Sequence, residues 1–283
     1  MRRRLWIVLL ILMFWVQAVR ASETQVAFLD VGQGDAIAIV TAHGGSMLID
    51  AGTRKAGEEV VVPFFMNAGI DAIDVVVITH PHADHIGGLI PVLEQIPVDR
   101  IYANYDIHPT ETYKELLLHI ENLDIPFIRA EPGTGIDIEG IDRIEILHPG
   151  YPLSDDINNN SIVLRIEIEG ISFLFTGDIE SQVEEHLIQQ QANLKARFIK
   201  APHHGSKTSS HLGFLMAVQP SKAVISCGKA NPYGHPDFEV LLRYAALGAD
   251  IYRTDIHGTI TVLIEDGSVD ITTYKRRAAL LAD

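Results

Sequence analysis

The sequence predicts a layered α/β domain, and three observations carry that prediction. Short runs of β-branched and apolar residues alternate along the chain with amphipathic stretches of helical length. Hydrophobic residues make up 47% of the 283, enough to bury a large core, and the composition has none of the features of disorder. Several of the apolar runs end on a histidine or an aspartate, where ligand sites form in α/β folds.

The N-terminus stands apart. Met1-Arg2-Arg3-Arg4 is a basic start, Leu5 to Val16 is uninterruptedly apolar, and Val19-Arg20-Ala21 offers a cleavage site. Residues 1–21 therefore predict a secretory signal peptide, with residues 22–283 as one domain. An uncleaved anchor is the alternative, although the apolar run is short for a membrane span. Either way the expected location is exported, periplasmic or extracellular, and no stable membrane-spanning partner is expected. Cleavage removes four arginines and no acid, taking the net charge from −15 to −19. Such a surface excludes tight, non-specific binding of nucleic acid, which needs a basic groove. The single Cys227 excludes an internal disulfide, and its setting in AVISC reads as core packing.

The elements follow in order. Residues 26–30 and 36–41 read as strands about a tight turn, Val31-Gly32-Gln33-Gly34-Asp35, and 46–50 as a third. A helix over 57–68 has an apolar face, with Pro63 as a breaker near its first turns. Val75 to Thr79 is a short buried strand, followed by a helix over 87–96. A strand at 101–105 and an amphipathic helix at 110–123 come next. The strand at 141–147 precedes a polar loop, then a hairpin turning at Glu169-Gly170. Helices at 181–192, 209–218 and 237–247 alternate with strands at 198–201, 222–227 and 250–254. A last hairpin turns at Asp266-Gly267, before a basic tail from Lys275.

The chemistry concentrates in His80-Pro81-His82-Ala83-Asp84-His85, directly after a strand and before Gly87-Gly88 and a helix. Alternate residues of an extended turn point to one side, so His80 and His82 can grip one ion, with Asp84 and His85 placed for a second. Imidazole and carboxylate without thiolate suit zinc, with manganese or iron as alternatives. Three more strands end in ligand-type residues, before His148, Asp178 and His203-His204. Two neighbouring ions need about seven protein ligands. His80, His82 and His148 are assigned to the first ion. Asp84, His85 and one of His203 or His204 are assigned to the second, with Asp178 as the bridge. His43 and His108 fall in turns away from these motifs and read as solvated; His257 is a weaker site candidate.

The pattern HxHxDH resembles the signature of the metallo-β-lactamase superfamily, and the later ligand positions follow that family's order. LDVGQGDA (29–36), IDAG (49–52), THPHADHIGGL (79–89), NNNSIVLRI (158–166), LFTGDIE (174–180), KAPHHGSKTSS (200–210), NPYGHP (231–236) and RTDIHGTI (253–260) occur in order. Together they resemble the exported hydrolase domain of the ComEC family of competence proteins. The resemblance covers nearly all of the chain after the leader, without that family's channel and oligonucleotide-binding domain. It implies an αββα four-layer sandwich with two mixed sheets, and a phosphodiesterase or nuclease activity. It also implies that Asp50 orients the metal loop from behind.

The expected reaction is phosphoester hydrolysis by a hydroxide bridging two divalent ions, zinc first and manganese second. Asp84, Lys207 and His235 are the catalytic candidates, Lys207 as a phosphate contact and His235 as the leaving-group proton donor. Asn160, Ser161, Ser206, Lys207, Tyr233 and His235 are the candidates for holding a phosphoester substrate, DNA among them. The alternatives are hydrolysis of a lactam, lactone or other ester, and a non-enzymatic exported binding module.

Overall fold

Both faces of the early strands are apolar, and the architecture buries both. A computed structural model describes residues 23–275, so the leader at 1–21 and nearly all of the basic tail lie outside the described residues. In Thr24–Phe28 (β1), Ile37–Val40 (β2) and Ser46–Ile49 (β3), all but one side chain is buried. Successive strand residues face opposite sides of a sheet. Leu48 accordingly packs towards helices, whereas Met47 and Ile49 pack towards a second sheet.

The helix expected over 57–68 is a longer helical run. Arg54–Ala56 (α1) leads through a π-helical segment, Gly57–Val61, into Val62–Asn67 (α2). Pro63 does not break it: it sits where the π-helical segment passes into α2, and the chain stays helical to Asn67. Val75–Ile78 (β4) then delivers the chain to the histidine loop. The following helix begins earlier than expected, as Ala83–Ile86 (α3), and resumes as Leu89–Gln95 (α4). The break falls at Gly87-Gly88, where a side chain on Gly88 would collide with the backbone of Ala51.

Ile101–Ala103 (β5), Glu111–Asn122 (α5) and Phe127–Arg129 (β6) complete the first half. Thr110 caps α5 by accepting from the Tyr113 amide. The three-residue β6 carries no alternation that its sequence could announce. The second half runs Arg143–His148 (β7), Val163–Ile168 (β8), Ile171–Phe175 (β9), Ser181–Gln189 (α6), Phe198–Lys200 (β10), Leu212–Val218 (α7), Lys222–Ile225 (β11), Phe238–Ala246 (α8) and Asp250–Arg253 (β12). Thr254–His257 (α9) and the hairpin Thr259–Glu265 (β13) and Ser268–Tyr274 (β14) close it.

Two mixed sheets result. One has eight strands in the order β14-β13-β1-β2-β3-β4-β5-β6, the other six in the order β12-β11-β10-β9-β8-β7. Three apolar layers separate four structural layers. The first lies between the larger sheet and α1–α5, the second between the sheets, and the third between the smaller sheet and α6–α8. This is the expected αββα sandwich. Within each sheet a parallel set, β3-β4-β5-β6 or β9-β10-β11-β12, sends its C-terminal ends to the same edge. Among the described residues no helix is long and apolar enough to cross a membrane.

Candidate metal centre

The loops that leave β3, β4, β9 and β10 meet at that edge. β4 supplies His80 to His85, β9 supplies Asp178, β10 supplies His204 and β3 supplies Asp50, while the β1–β2 turn adds Asp35. His85 Nε2 and His204 Nε2 each approach Asp178 Oδ2 to 3.3 Å, and His204 Nε2 lies 3.6 Å from Asp84 Oδ2. His80 Nε2 lies 3.0 Å from His82 Nδ1 and 3.9 Å from Asp178 Oδ2.

The other side of each ring is tied down. His85 Nδ1–H donates to Asp50 Oδ2 at 2.8 Å, and His204 Nδ1–H donates to the Ser226 carbonyl at 3.0 Å. His80 Nδ1–H faces Thr79 Oγ1 at 3.1 Å and Ser161 Oγ at 3.3 Å. Fixing the proton on Nδ1 turns each Nε2 lone pair inward, the arrangement metal-binding imidazoles need. Asp50 is itself held, accepting from the Thr79 amide at 2.8 Å and its hydroxyl at 2.6 Å.

Beneath the cluster lies Lys200, almost wholly buried. Its ammonium pairs closely with Asp35, donates to the Gly177 carbonyl at 3.0 Å and lies 3.5 Å from Asp178 Oδ1. Neither Asp35 nor Lys200 is among the expected site residues, although both stand inside the quoted motifs. Asp35 reads as a turn residue and Lys200 as the polar end of a strand, and only the fold brings them together.

Burial opposes charge throughout the cluster, and neighbours decide each outcome. It pushes His80 well below the ordinary imidazole range, aided by the nearby His85. It would do the same to His85 and His204, but Asp178 with Asp50, and Asp178 with Asp35, raise those two well above it. Burial would raise Asp178, yet His204, His85 and Lys200 hold it well below the usual carboxylate range. Asp84 is likewise lowered, chiefly by His204.

His85 Nε2 and His204 Nε2, both turned towards Asp178 Oδ2, are buried without a hydrogen bond. Each such atom costs roughly 1–3 kcal/mol. Two on one centre, beside a carboxylate oxygen, point to a cation, which a set of imidazole and carboxylate donors fits. Donor atoms of His80, His85 and Asp178, and of Asp84, His85 and His204, fall within 4.8 Å of one another.

The backbone separates the two adjacent histidines. His203, His204 and Gly205 all have left-handed φ, at 49°, 54° and 80°. That turn sends His204 inward and leaves His203 at the rim, its Nδ1 3.2 Å from Glu180 Oε1. His148 does not join the cluster. Strand β7 is the far edge of its sheet, two strands from β9, and His148 Nε2–H donates to the Asn159 carbonyl at 2.8 Å. Its ring faces His186 in a separate cavity of about 540 Å³.

The proposed substrate contacts also divide. Tyr233 and His235 line a cavity of about 420 Å³ together with His82, Asp84, Asp178 and His204. Ser161 is buried behind the ligands, accepting from the Asp178 amide at 3.0 Å. Asn160 is committed to Asp106 Oδ2 and the Ser154 carbonyl, at 2.7 and 2.8 Å. Ser206 is buried against Thr208. Lys207 is exposed and outside the cavity. His108, expected to be solvated, lines the cavity, its ring 5.5 Å from that of His82. Nothing in its own turn signals this, because a loop after β5 carries it there.

Known proteins share this frame. The chain is 31% identical over 256 residues to ComE operon protein 3 of Bacillus subtilis, covering 85% of this chain and 33% of that protein. It is 35% identical over 270 residues to the competence protein ComA of Neisseria gonorrhoeae, covering 94% and 36%. It therefore spans about a third of the length of these two competence proteins. Endoribonuclease YSH1 of Candida glabrata is 25% identical over 196 residues, covering 60% and 25%. The metallo-beta-lactamase fold protein YhfI of Bacillus subtilis superposes with a TM-score of 0.53 at 11% identity, covering 88% of this chain and 99% of that one. Residues 29–229 match the metallo-beta-lactamase domain itself, so the chain belongs to the metallo-beta-lactamase superfamily.

Proposed function

We propose that this protein is an exported, metal-dependent phosphodiesterase of nuclease type. One observation carries the reading: the buried Nε2 atoms of His85 and His204 converge on Asp178 Oδ2, and Asp178 and His204 line an open cavity together with His82, His108 and His235. Divalent ions, zinc first and manganese as the alternative, would lower the pKa of a water and neutralise charge on phosphoryl oxygens. His80, His82, Asp84, His85, Asp178 and His204 would hold them.

The remaining residues have defined tasks. Burial, then His203 and His204, hold His235 below the ordinary imidazole range. It is therefore neutral at pH 7 and suited to donating a hydrogen bond to phosphate rather than a full proton. His108 lines the same cavity and offers a second ring N–H to a phosphoryl oxygen. Tyr233, 67% exposed at the rim, offers a ring on which a base can stack. The likeness to an endoribonuclease supports phosphodiester substrates.

The test compares bis-p-nitrophenyl phosphate, single-stranded DNA and the β-lactam nitrocefin with zinc or manganese added. Diester cleavage is expected to vanish with EDTA, and to fall at least ~10³-fold in Asp178→Ala. Turnover of nitrocefin with inert diesters would transfer the assignment to lactam hydrolysis. Metal binding without any hydrolysis would support a binding module.

A further inference from the structure

The turn between β1 and β2 contributes Asp35 to the buried cluster, but its Gln33 has no part there. Close backbone approach seats this turn. A Cβ on Gly34 would fall 2.1 Å from the Asp84 carbonyl oxygen, and one on Gly228 would fall 2.8 Å from the Gln33 nitrogen. The Gly228 amide donates to Gln33 Oε1 at 3.1 Å. An N–H must face an acceptor, so this bond fixes which end of the carboxamide is oxygen. Nε2 carries two N–H donors and has no partner among the described residues.

Gln33 stands where two cavities join. Gln33, Ala83, Asp84 and Tyr233 line both the cavity over the cation donors and a second one of about 460 Å³, within the range of small-molecule sites. The second cavity continues to Thr53, Arg54, Ile90 and Thr112. Ile90 and the Tyr233 ring give it apolar surface, and the two threonines give it hydroxyls. The cation that lines it, Arg54, is already engaged. Its two terminal nitrogens donate to the two Glu115 carboxylate oxygens, each at 2.8 Å, and Glu94 and Glu58 add negative charge nearby. A phosphate entering here would meet a neutralised guanidinium among acids. A flat, uncharged group escapes that repulsion, and it can stack on the Tyr233 ring or on the guanidinium plane.

We propose that this side cavity is a nucleoside subsite. It takes the nucleoside on one side of the scissile phosphate, and Gln33 Nε2 donates to a carbonyl or ring nitrogen of the base. The place of that nucleoside in a reaction rests on the phosphodiesterase reading, whereas the affinity of the cavity for a nucleoside does not.

Ligand-observed NMR titration of the full chain with thymidine and with adenosine tests the cavity itself. At least one should bind with a dissociation constant on the order of 1 mM. Gln33→Ala should weaken that binding by about threefold to tenfold, through the lost hydrogen bond. Thr112→Trp, which brings an indole into the cavity from a half-exposed position, should abolish it. Kinetics with added metal then compare bis-p-nitrophenyl phosphate with the two p-nitrophenyl thymidine phosphates, joined through either sugar hydroxyl. One of the nucleoside esters should have a KM about tenfold lower, and both variants should bring the values together. If the unmodified chain binds neither nucleoside, or if binding persists undiminished in a folded Thr112→Trp variant, the subsite is overturned. The first of those outcomes needs no variant, so one that fails to fold leaves the proposal open to refutation. Nucleoside binding with equal KM values would remove the cavity from the reaction. Nucleoside binding in a chain that cleaves no diester would sink the phosphodiesterase reading and leave the subsite standing.

Discussion

Lys200 shows how much a single buried side chain decides here. An ammonium removed from water is stabilised only by partners that repay its desolvation, and Asp35, Asp178 and the Gly177 carbonyl surround it. Burial lowers its pKa and those carboxylates more than reverse the effect, so it stays charged. Lys200→Met leaves Asp35 buried with only the His204 and His85 imidazoles, 3.4 and 3.9 Å away, to offset its charge. The metal-free variant should lose about 3–5 kcal/mol of unfolding free energy in urea, read by far-UV circular dichroism. Adding Asp35→Asn should recover a large part of that loss, because the pair is removed together. A single variant as stable as the parent would show that the His204 and His85 imidazoles suffice as counter-charge. None of this was legible in the residue itself. His80, His82, Asp84 and His85 were readable because four ligand-type residues in six are improbable by chance. Choosing His204 over His203 needed backbone angles that neighbouring identical residues cannot disclose.

Loops, rather than strands, carry the site, and their anchors are where the elements can be tested. The segment after β10 is pinned to α6 by Glu184, whose carboxylate accepts from the Ser210 amide at 2.5 Å and the His211 amide at 2.9 Å. Burial raises the Glu184 pKa above 4.5, and the two amides with the facing His211 imidazole only partly offset this; the nearby Tyr244 hydroxyl pairs with Ser210 Oγ. A carboxyl raised in the folded state contributes stability that is complete below its unfolded pKa and is lost as pH rises through the folded value. Replacing it with a group that does not titrate removes that dependence. The unfolding free energy of Glu184→Gln relative to the parent should therefore improve as pH rises past 4.5. A relative stability that is flat, or that falls with pH, would show that the anion is favoured in the fold. Element boundaries were mostly legible, since apolar period and Gly turns mark them, as at Asp266-Gly267 between β13 and β14. What failed was placement. His148 ends a strand as Asp178 does, but β7 is an edge strand and β9 is central, and strand order is not written into local sequence.

At the scale of the whole molecule, alternation alone predicted layers, and the four-layer order came through family resemblance. Three apolar layers had to be filled from strands buried on both faces, which read as unbroken runs and conceal which side is which. The surface those layers leave is acidic, with 37 acids against 22 bases. That charge bears on how the proposed nuclease meets its substrate. A nucleic-acid binder that neutralises phosphates with Lys and Arg loses affinity steeply as salt rises. Here the general field repels a polyanion, and attraction is confined to the cation positions, whose field reaches about 10 Å at 0.1 M salt. Added monovalent salt therefore screens repulsion over a long strand more than it weakens a short-range phosphate contact at the centre. The KM for a single-stranded oligonucleotide should fall as sodium chloride rises from about 20 to 150 mM, while that for bis-p-nitrophenyl phosphate, with one charge, should change by less than about twofold. Initial rates at fixed metal, with the oligonucleotide length varied, measure this directly, and the longer strand should show the larger fall. A KM that climbs with salt for the oligonucleotide would reveal a basic track on the folded surface that the overall charge conceals, and would make long nucleic acid the better candidate for the natural substrate.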